Sequence, residues 1–399
     1  MTTTIDNEQK TLNVPNLRFP EFEGEWEKTT FGNIATGFDY GMNAAAKSYD
    51  GENKYIRITD INESSSTYDD KDIVSPDGTL SDNYQVKERD ILLARTGAST
   101  GKTYLYRKSD GKLYYAGFLI RANVTTHNPY FVFSQLHTHR YWRWVSIMSV
   151  RSGQPGINSQ EYSSFPVFTT SIQEENKIAK LLSLLDERIS TQNKIIDKLQ
   201  SLIKGISNRL LYSDNSMSIR IEEILIERSE RTKKNNQYEI LSSTVNGIFS
   251  QRDYFSKDIA SDNNVGYKII HLHDIVLSPQ NLWMGNINFN DKFDIGIVSP
   301  SYKVFSIADG FDKKYVASLL KTHHALYNYM LVSEQGASIV RRNLNYEAFE
   351  QLVFKIPSLN KQQEIGHVIS LLKSQLENAN LLIKTYNSQK QYLLRQMFI

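Results

Sequence analysis

Cysteine is absent from all 399 residues. That excludes disulfides, cysteine-ligated zinc, iron–sulfur clusters and a thiol nucleophile. No apolar run reaches the roughly 18 residues of a membrane-spanning helix, so no membrane is expected among the partners. The polar opening from Met1 to Val14 lacks the basic, apolar, small-residue succession of a signal peptide and is expected to be flexible. A cysteine-free chain without export signals is expected in the cytoplasm. Charge of one sign is also lacking, the formal net charge being +2. The segments Gln173–Leu211 and Asn360–Ile399 together carry +5, which leaves −3 for everything else. A globular part that binds nucleic acid must therefore use local basic patches, or a partner must supply phosphate contacts. Nor is there a convincing nucleophile–base pair or carboxylate constellation.

What is present is a unit written twice. An apolar share of 40% and a charged share of 23% belong to a folded chain, and the length suggests two domains. Ile157–Val167 (INSQEYSSFPV) matches Leu344–Phe354 (LNYEAFEQLVF) at an offset of 187 residues, placing Asn158 on Asn345, Tyr162 on Phe349 and Phe165 on Leu352. The offset holds through the following segment, where Ile178 falls on Ile365, Leu182 on Ile369, Leu185 on Leu372 and Leu210 on Met397. Upstream it becomes 184, with Asp90 on Asp274, Ser134 on Ser318 and Leu136 on Leu320.

Each copy ends in a heptad seam. Leu182, Leu185, Ile189, Gln192, Ile196, Leu199, Ile203, Ile206 and Leu210 are spaced alternately by three and four residues; so are Ile369, Leu372, Leu376, Ala379, Ile383, Tyr386, Lys390, Leu393 and Met397. Gln192 and Lys390 interrupt the seams, as register-fixing polar residues do. A helix of such length, roughly 58 Å, exceeds what one domain needs, so the two helices are expected to pair. The second must return along the first, because the second domain lies between them. The bland alternative is that each helix lies on its own domain.

Short strands separated by turns are expected in both halves: Tyr55–Ile58, Asp90–Ala94 and Tyr114–Ile120, then Ile269–Leu272, Asp274–Leu277 and Ser301–Phe305. A helical stretch follows in each, about Pro129–Val145 and Asp312–Val332, and then a polar loop, Ser152–Gly156 and Ser333–Ser338. The fold class is α+β with mostly antiparallel sheets.

Three local signals fail. Gly97-Ala-Ser-Thr-Gly-Lys-Thr103 has three residues between its glycines where a nucleotide-binding loop has four, and a strand rather than a helix follows. It reads as a glycine-rich hairpin. Asn128-Pro-Tyr130 lacks one proline of an adenine-methyltransferase loop and reads as a helix start, with Asn128 as cap and Pro129 in the first turn. The pairs His137/His139 and His271/His273 lack a third ligand.

Several strings resemble the specificity subunit of type I restriction-modification systems: Val14-Pro-Asn-Leu-Arg-Phe-Pro-Glu-Phe leading to Trp26, Arg89-Asp-Ile-Leu-Leu-Ala, and Ile172-Gln-Glu-Glu-Asn-Lys-Ile-Ala-Lys-Leu-Leu-Ser-Leu-Leu-Asp-Glu-Arg-Ile. Ile356-Pro-Ser-Leu-Asn-Lys-Gln-Gln-Glu-Ile repeats the helix entry, although Lys373-Ser-Gln-Leu loses the acidic pair of the first copy. The resemblance implies two similar target-recognition domains joined by a long antiparallel two-helix coiled coil, with pseudo-two-fold symmetry. It divides the chain into a flexible 1–14, domains at 15–171 and 212–358, and helices at 172–211 and 359–399. It implies a non-catalytic, DNA-binding subunit. Each domain reads one half of a split, asymmetric target in double-stranded DNA, and the helices set the spacer. Two methyltransferase subunits dock, and restriction subunits join to make the nuclease. This chain would hold no cofactor: S-adenosylmethionine, and ATP with Mg in the nuclease, belong to those partners.

Base discrimination falls to Arg, Lys, Asn, Gln, Ser and Thr at groove edges. The candidate DNA-binding residues are Arg95, Ser99, Thr100, Lys102, Ser152 and Gln154 in the first half. In the second they are Gln280, Asn281, Trp283, Gln335, Ser338, Arg341 and Arg342. Two other classes stand beside this reading: a non-enzymatic scaffold that binds proteins only, and an NTPase built on Lys102.

Overall fold

The computed structural model describes residues 12–151, 153–210, 216–254, 263–335 and 342–399. The candidates Ser152, Ser338 and Arg341, and most of the N-terminal segment, lie outside the described residues. Two compact units are present: Met1–Asn193 with Leu382–Ile399, and Lys194–Leu381. Each therefore holds one globular half, the start of its own long helix and the end of the other.

The repeat is written in the topology. In the first unit a four-stranded antiparallel sheet runs Ala35–Tyr40, Leu119–Val124, Asp90–Ala94, Thr103–Leu105 across its width. In the second the same order is Leu225–Glu227, Lys303–Ile307, Ile275–Leu277, Ile287–Phe289. Past the opening Asp90 of the first, the central strands are apolar because both their faces are covered. Ile91 and Leu93 enter the main core while Leu92 and Ala94 enter a smaller one. Ile275 and Leu277 part from Val276 in the same way. Each central strand is entered through a residue in left-handed conformation, Arg89 (φ 73°) and His273 (φ 75°). The following aspartate makes that turn tenable, since Asp90 accepts the Lys87 N–H at 2.7 Å and Asp274 the His271 N–H at 2.8 Å.

The expected single helical stretches are each two helices, Pro129–Gln135 with His139–Met148 and Lys313–Leu319 with His323–Leu331. A threonine makes the break in both copies. Thr138 and Thr322 cap the second helix by accepting the Tyr141 and Ala325 N–H groups, and a capping threonine sits in extended backbone that ends the preceding helix. Asn128 caps with Pro129 in the first turn, as the sequence predicts. The expected strand Tyr114–Ile120 is two, Leu113–Tyr115 and Leu119–Val124, because the chain turns at Gly117. Leu113–Tyr115 pairs in parallel with Lys54–Ile56.

A closing strand in each unit, Pro166–Thr169 and Val353–Ile356, pairs with the strand that opens it and leads into a long helix, Ile172–Leu210 and Leu359–Gln396. Burial along these helices follows the heptad. From Leu371 to Tyr392 the residues not fully exposed are Leu372, Leu376, Ala379, Ile383, Tyr386 and Lys390, the seam positions alone. In the first unit the Leu17 N–H donates to the Gln396 carbonyl at 2.8 Å while neighbouring Arg18 forks onto Glu174. The beginning of one helix thus lies by the end of the other: they run antiparallel. Leu393, Met397 and Phe398 join the core that holds Leu182 and Leu185, and Phe398 meets Trp26 edge-on. In the second unit Ile206 packs on the cluster of Ile365 and Ile369. Both seam interruptions are accommodated: Gln192 is buried, and Lys390 pairs with Asp186 at 2.7 Å.

Candidate functional site

Two loops meet in each unit. In the first, strand Asp90–Ala94 passes through a tight turn at Gly97–Ser99 and returns as Thr103–Leu105. This is the expected hairpin, and no helix N-terminus stands behind its glycines. The loop that follows helix His139–Met148 lies against it. Gly97 N–H donates to the Pro155 carbonyl and Ile157 N–H to the Arg95 carbonyl, both at 3.0 Å. In the second unit the turn Leu282–Met284 and the segment after helix His323–Leu331 make the same pair. Arg342 N–H donates to the Gln280 carbonyl at 3.2 Å, and strand Ser333–Gln335 pairs with Arg342–Leu344, setting Gln335 opposite Arg342.

One glycine position explains why the hairpin approaches so closely. Gly101 (φ 90°) sits where a Cβ would stand 2.8 Å from the Val145 side chain, and its repeat partner Gly285 (φ 92°) faces Leu326. Only glycine takes that backbone freely and leaves room for the helix.

The described candidates differ in what they have left to offer. The Arg95 guanidinium lies over the Tyr40 ring at 4.9 Å and the Phe118 ring at 5.8 Å, and its Nε donates to the Gly117 carbonyl at 3.1 Å. Arg342 lies over Trp283 at 5.0 Å. A guanidinium stacked on an aromatic face keeps its charge and its remaining N–H donors for an incoming acceptor. Lys102 is mostly covered, and the Glu63 carboxylate stands 3.8 Å from it. Thr100 is buried and spends its hydroxyl on the Gly97 and Pro155 carbonyls, so it holds the two loops together. Asn281 closes its own turn through its backbone carbonyl, which accepts from Met284 and Asn286. Ser99 is half-buried, while Gln154, Gln280 and Gln335 are exposed.

Sequence reasoning missed three aromatic neighbours: Tyr40 (44% exposed), Phe118 (55%) and Trp142 (43%). Aromatic residues in and beside strands read as core, so exposure is not foreseeable from type. A glycine beside two of them was the available sign. Gly41, whose Cβ would meet the Ala116 carbonyl at 2.2 Å, lets two strands close up and turn the Tyr40 and Phe118 rings outward together.

The titratable groups beneath these loops are structural. Burial raises the carboxyls of Asp90 and Asp274, against bonds from Asn123 and the Lys87 N–H in one and against the His271 N–H bond and the Arg228 charge in the other. His137 is pushed down to about 4 by burial and by the Lys390 ammonium, and bonds Ser66 and the Phe133 carbonyl. Among the described residues no group of three or more His, Asp or Glu side chains is arranged to hold a metal, and no helix is long and apolar enough to cross a membrane.

Residues 24–201 match the family model described as type I restriction modification DNA specificity domain. The type I restriction-modification S subunit from M. genitalium is 13% identical and superposes with a TM-score of 0.64, covering 97% of this chain and 99% of that one. The HsdS subunit from Thermoanaerobacter tengcongensis is 11% identical, with a TM-score of 0.39 over 94% of this chain and 96% of its own.

Proposed function

We propose that the chain is a non-catalytic specificity subunit of the type I restriction-modification kind, as the match of residues 24–201 to that specificity domain supports, and that its two units each read one half of a bipartite, asymmetric DNA target. Residues 15–171 and 212–358 are the two readers; helices 172–211 and 359–399 set the unread spacer and dock two methyltransferase subunits. Those partners carry S-adenosylmethionine and the chemistry on adenine, and restriction subunits with ATP and Mg complete the nuclease. The observation that supports this reading is that each pair of loops carries an arginine stacked on an exposed or half-exposed aromatic ring, Arg95 of the hairpin in the first unit and Arg342 of the loop beside the hairpin in the second. Arginine on such a platform suits bidentate contact with guanine or a backbone phosphate. Residual negative charge elsewhere fits a clamp completed by partners.

A map of adenine methylation in DNA of cells with and without this chain tests it. The expected result is a split motif that vanishes with the chain; an unchanged map overturns the reading. Arg95→Ala and Arg342→Ala are each expected to relax or abolish one half of the motif and spare the other. A discriminating base contact is worth about 1–3 kcal/mol, or roughly ten- to hundredfold. A heptad inserted after Gln192, matched by one after its repeat partner Ala379, is expected to lengthen the spacer with both half-sites kept. A changed half-site would place the helices in the reading surface instead.

A further inference from the structure

The second unit contains a cavity of about 190 Å³ between helix Lys313–Leu319 and the long helix. Lys314, Ser318, Ser370, Lys373 and Ser374 line it, with Asp291 and Glu377. The hydrogen-bond partner of the Lys373 ammonium is a neutral group, the Ser318 hydroxyl at 3.4 Å. Asp291 and Glu377 act on it only through space. Lys321 stands behind it, held by the Asn288 side-chain oxygen at 2.5 Å. Burial and the Lys373 charge push Lys321 down to about 8. Two ammonium groups thus line the cavity with two carboxylates and three hydroxyls, and the Lys321 ammonium stands behind them.

The first unit solves the same place differently. At the repeat offsets, Lys373 corresponds to Asp186, Lys314 to Tyr130, Ser318 to Ser134 and Lys321 to His137. There Tyr130 donates its hydroxyl to Asp186, Lys390 pairs with Asp186 at 2.7 Å, and the neutral His137 bonds Ser66. Every charge in that cluster is answered from within the unit. In the second unit a cation has replaced the acid, and a cavity stands where the first has an ion pair.

We propose that this cavity is an oxyanion site for a singly charged phosphate-class group, held by the Lys314 and Lys373 ammonium groups with serine hydroxyls as further donors. The Ser318 hydroxyl donates to the Lys314 carbonyl at 3.0 Å, which leaves Ser370 and Ser374 to supply short, neutral O–H donors that an oxyanion satisfies. The two lining cations balance the two carboxylates, and Lys321 behind them adds about one positive charge, which suits a phosphodiester or dihydrogen phosphate and opposes a polyphosphate. Free phosphate and the backbone of bound DNA share this chemistry.

The test uses the full chain without any target DNA, so it stands whether or not the units read a split site. Thermal unfolding is followed with inorganic phosphate and with chloride at matched ionic strength. Phosphate is expected to raise the midpoint beyond chloride. Lys373→Met, which keeps the apolar stem, is expected to remove that increment, and Lys314→Met to reduce it while the protein still unfolds cooperatively. An equal response to both salts in the wild type, or an increment that survives in both variants, overturns the proposal. A target-free duplex then identifies the source. If the backbone supplies the group, Lys373→Met weakens non-specific binding and lowers the salt slope by about 0.9. If that slope is unchanged while the phosphate increment is lost, the ligand is free phosphate.

Discussion

The two units share a topology and diverge where their long helices begin. In the first, Glu174 and Glu175 are fully buried in the opening turn. Arg18 forks onto Glu174 through Nε at 2.8 Å and Nη2 at 2.7 Å, joined by the Trp26 indole and the Thr170 hydroxyl. Glu175 takes His127 and the Asn128 and Thr170 N–H groups. In the second unit the corresponding residues are Lys361 and Gln362. Gln362 alone is buried, accepting the Asp312 N–H at 3.0 Å and donating to the Pro357 carbonyl at 2.9 Å. One copy anchors its helix with buried charge answered by an N-terminal arm; the other uses a neutral amide that serves itself. The helix N-terminus favours the carboxylates in the first, but their burial makes that unit depend on Arg18.

Removing Arg18 is accordingly the largest expected effect. Arg18→Ala leaves the buried Glu174 carboxylate short of its cation, a loss on the order of 3–5 kcal/mol. Gln362→Ala forfeits neutral bonds and leaves backbone groups wanting, about 1–3 kcal/mol. Urea unfolding gives the totals, and hydrogen exchange resolved along the chain assigns them to a unit. Equal costs for the two variants would break the contrast.

These differences explain what could be read beforehand. The repeat, the heptads, the two half-sheets and the Asn128 cap were legible because apolar spacing and cap residues act locally. The helix breaks at Thr138 and Thr322 were not, since threonine is tolerated inside helices and becomes a cap only when the chain turns to cover a core. The Arg18–Glu174 pair joins residues far apart in sequence, and no local pattern announces it. The candidate site was legible as a pair of loops and as Arg95, Trp283 and Arg342. It was illegible in its exposed rings, Tyr40 and Phe118, because strand aromatics are ordinarily buried. Thr100 shows the converse, a groove-edge residue type whose hydroxyl is spent on the Gly97 and Pro155 carbonyls between the two loops.

The next contrast is between His137 and Lys321, which occupy repeat-equivalent places. Burial, then the Lys390 charge, holds folded His137 near 4 against about 6.5 for a solvated imidazole. The unfolded chain binds more protons in that interval, so the contribution is complete above about 6.5 and is lost as pH falls toward 4. Lys321 is held near 8 against 10.5, by burial and then Lys373. Its folded form also binds fewer protons, so stability here rises as pH climbs from 8 toward 10.5. Stability–pH profiles of wild type against His137→Gln and Lys321→Gln isolate the two windows by difference. An acid-window difference for Lys321→Gln, or an alkaline one for His137→Gln, would reverse the assignment.

The smallest contrast lies in the short helices before the closing strands. Asn158 and Asn345 are repeat partners, and each caps its helix, accepting from Glu161 at 2.9 Å and from Ala348 at 3.1 Å. Only the first is a full capping box, because the Glu161 carboxylate also accepts the Asn158 N–H at 2.8 Å. The second copy has alanine at that place, so the Asn345 N–H turns instead to the Val332 carbonyl at 2.9 Å. Either cap replaced by alanine is expected to cost about 1 kcal/mol, with Asn158→Ala the larger because the reciprocal bond goes with it. Ala348→Glu ought to add little, at most about 0.5 kcal/mol, since the donor it would serve already has a partner. A gain well above that in urea unfolding would mean that the Val332 bond is weak. The second unit would then have lost a cap the first retains, rather than replaced it.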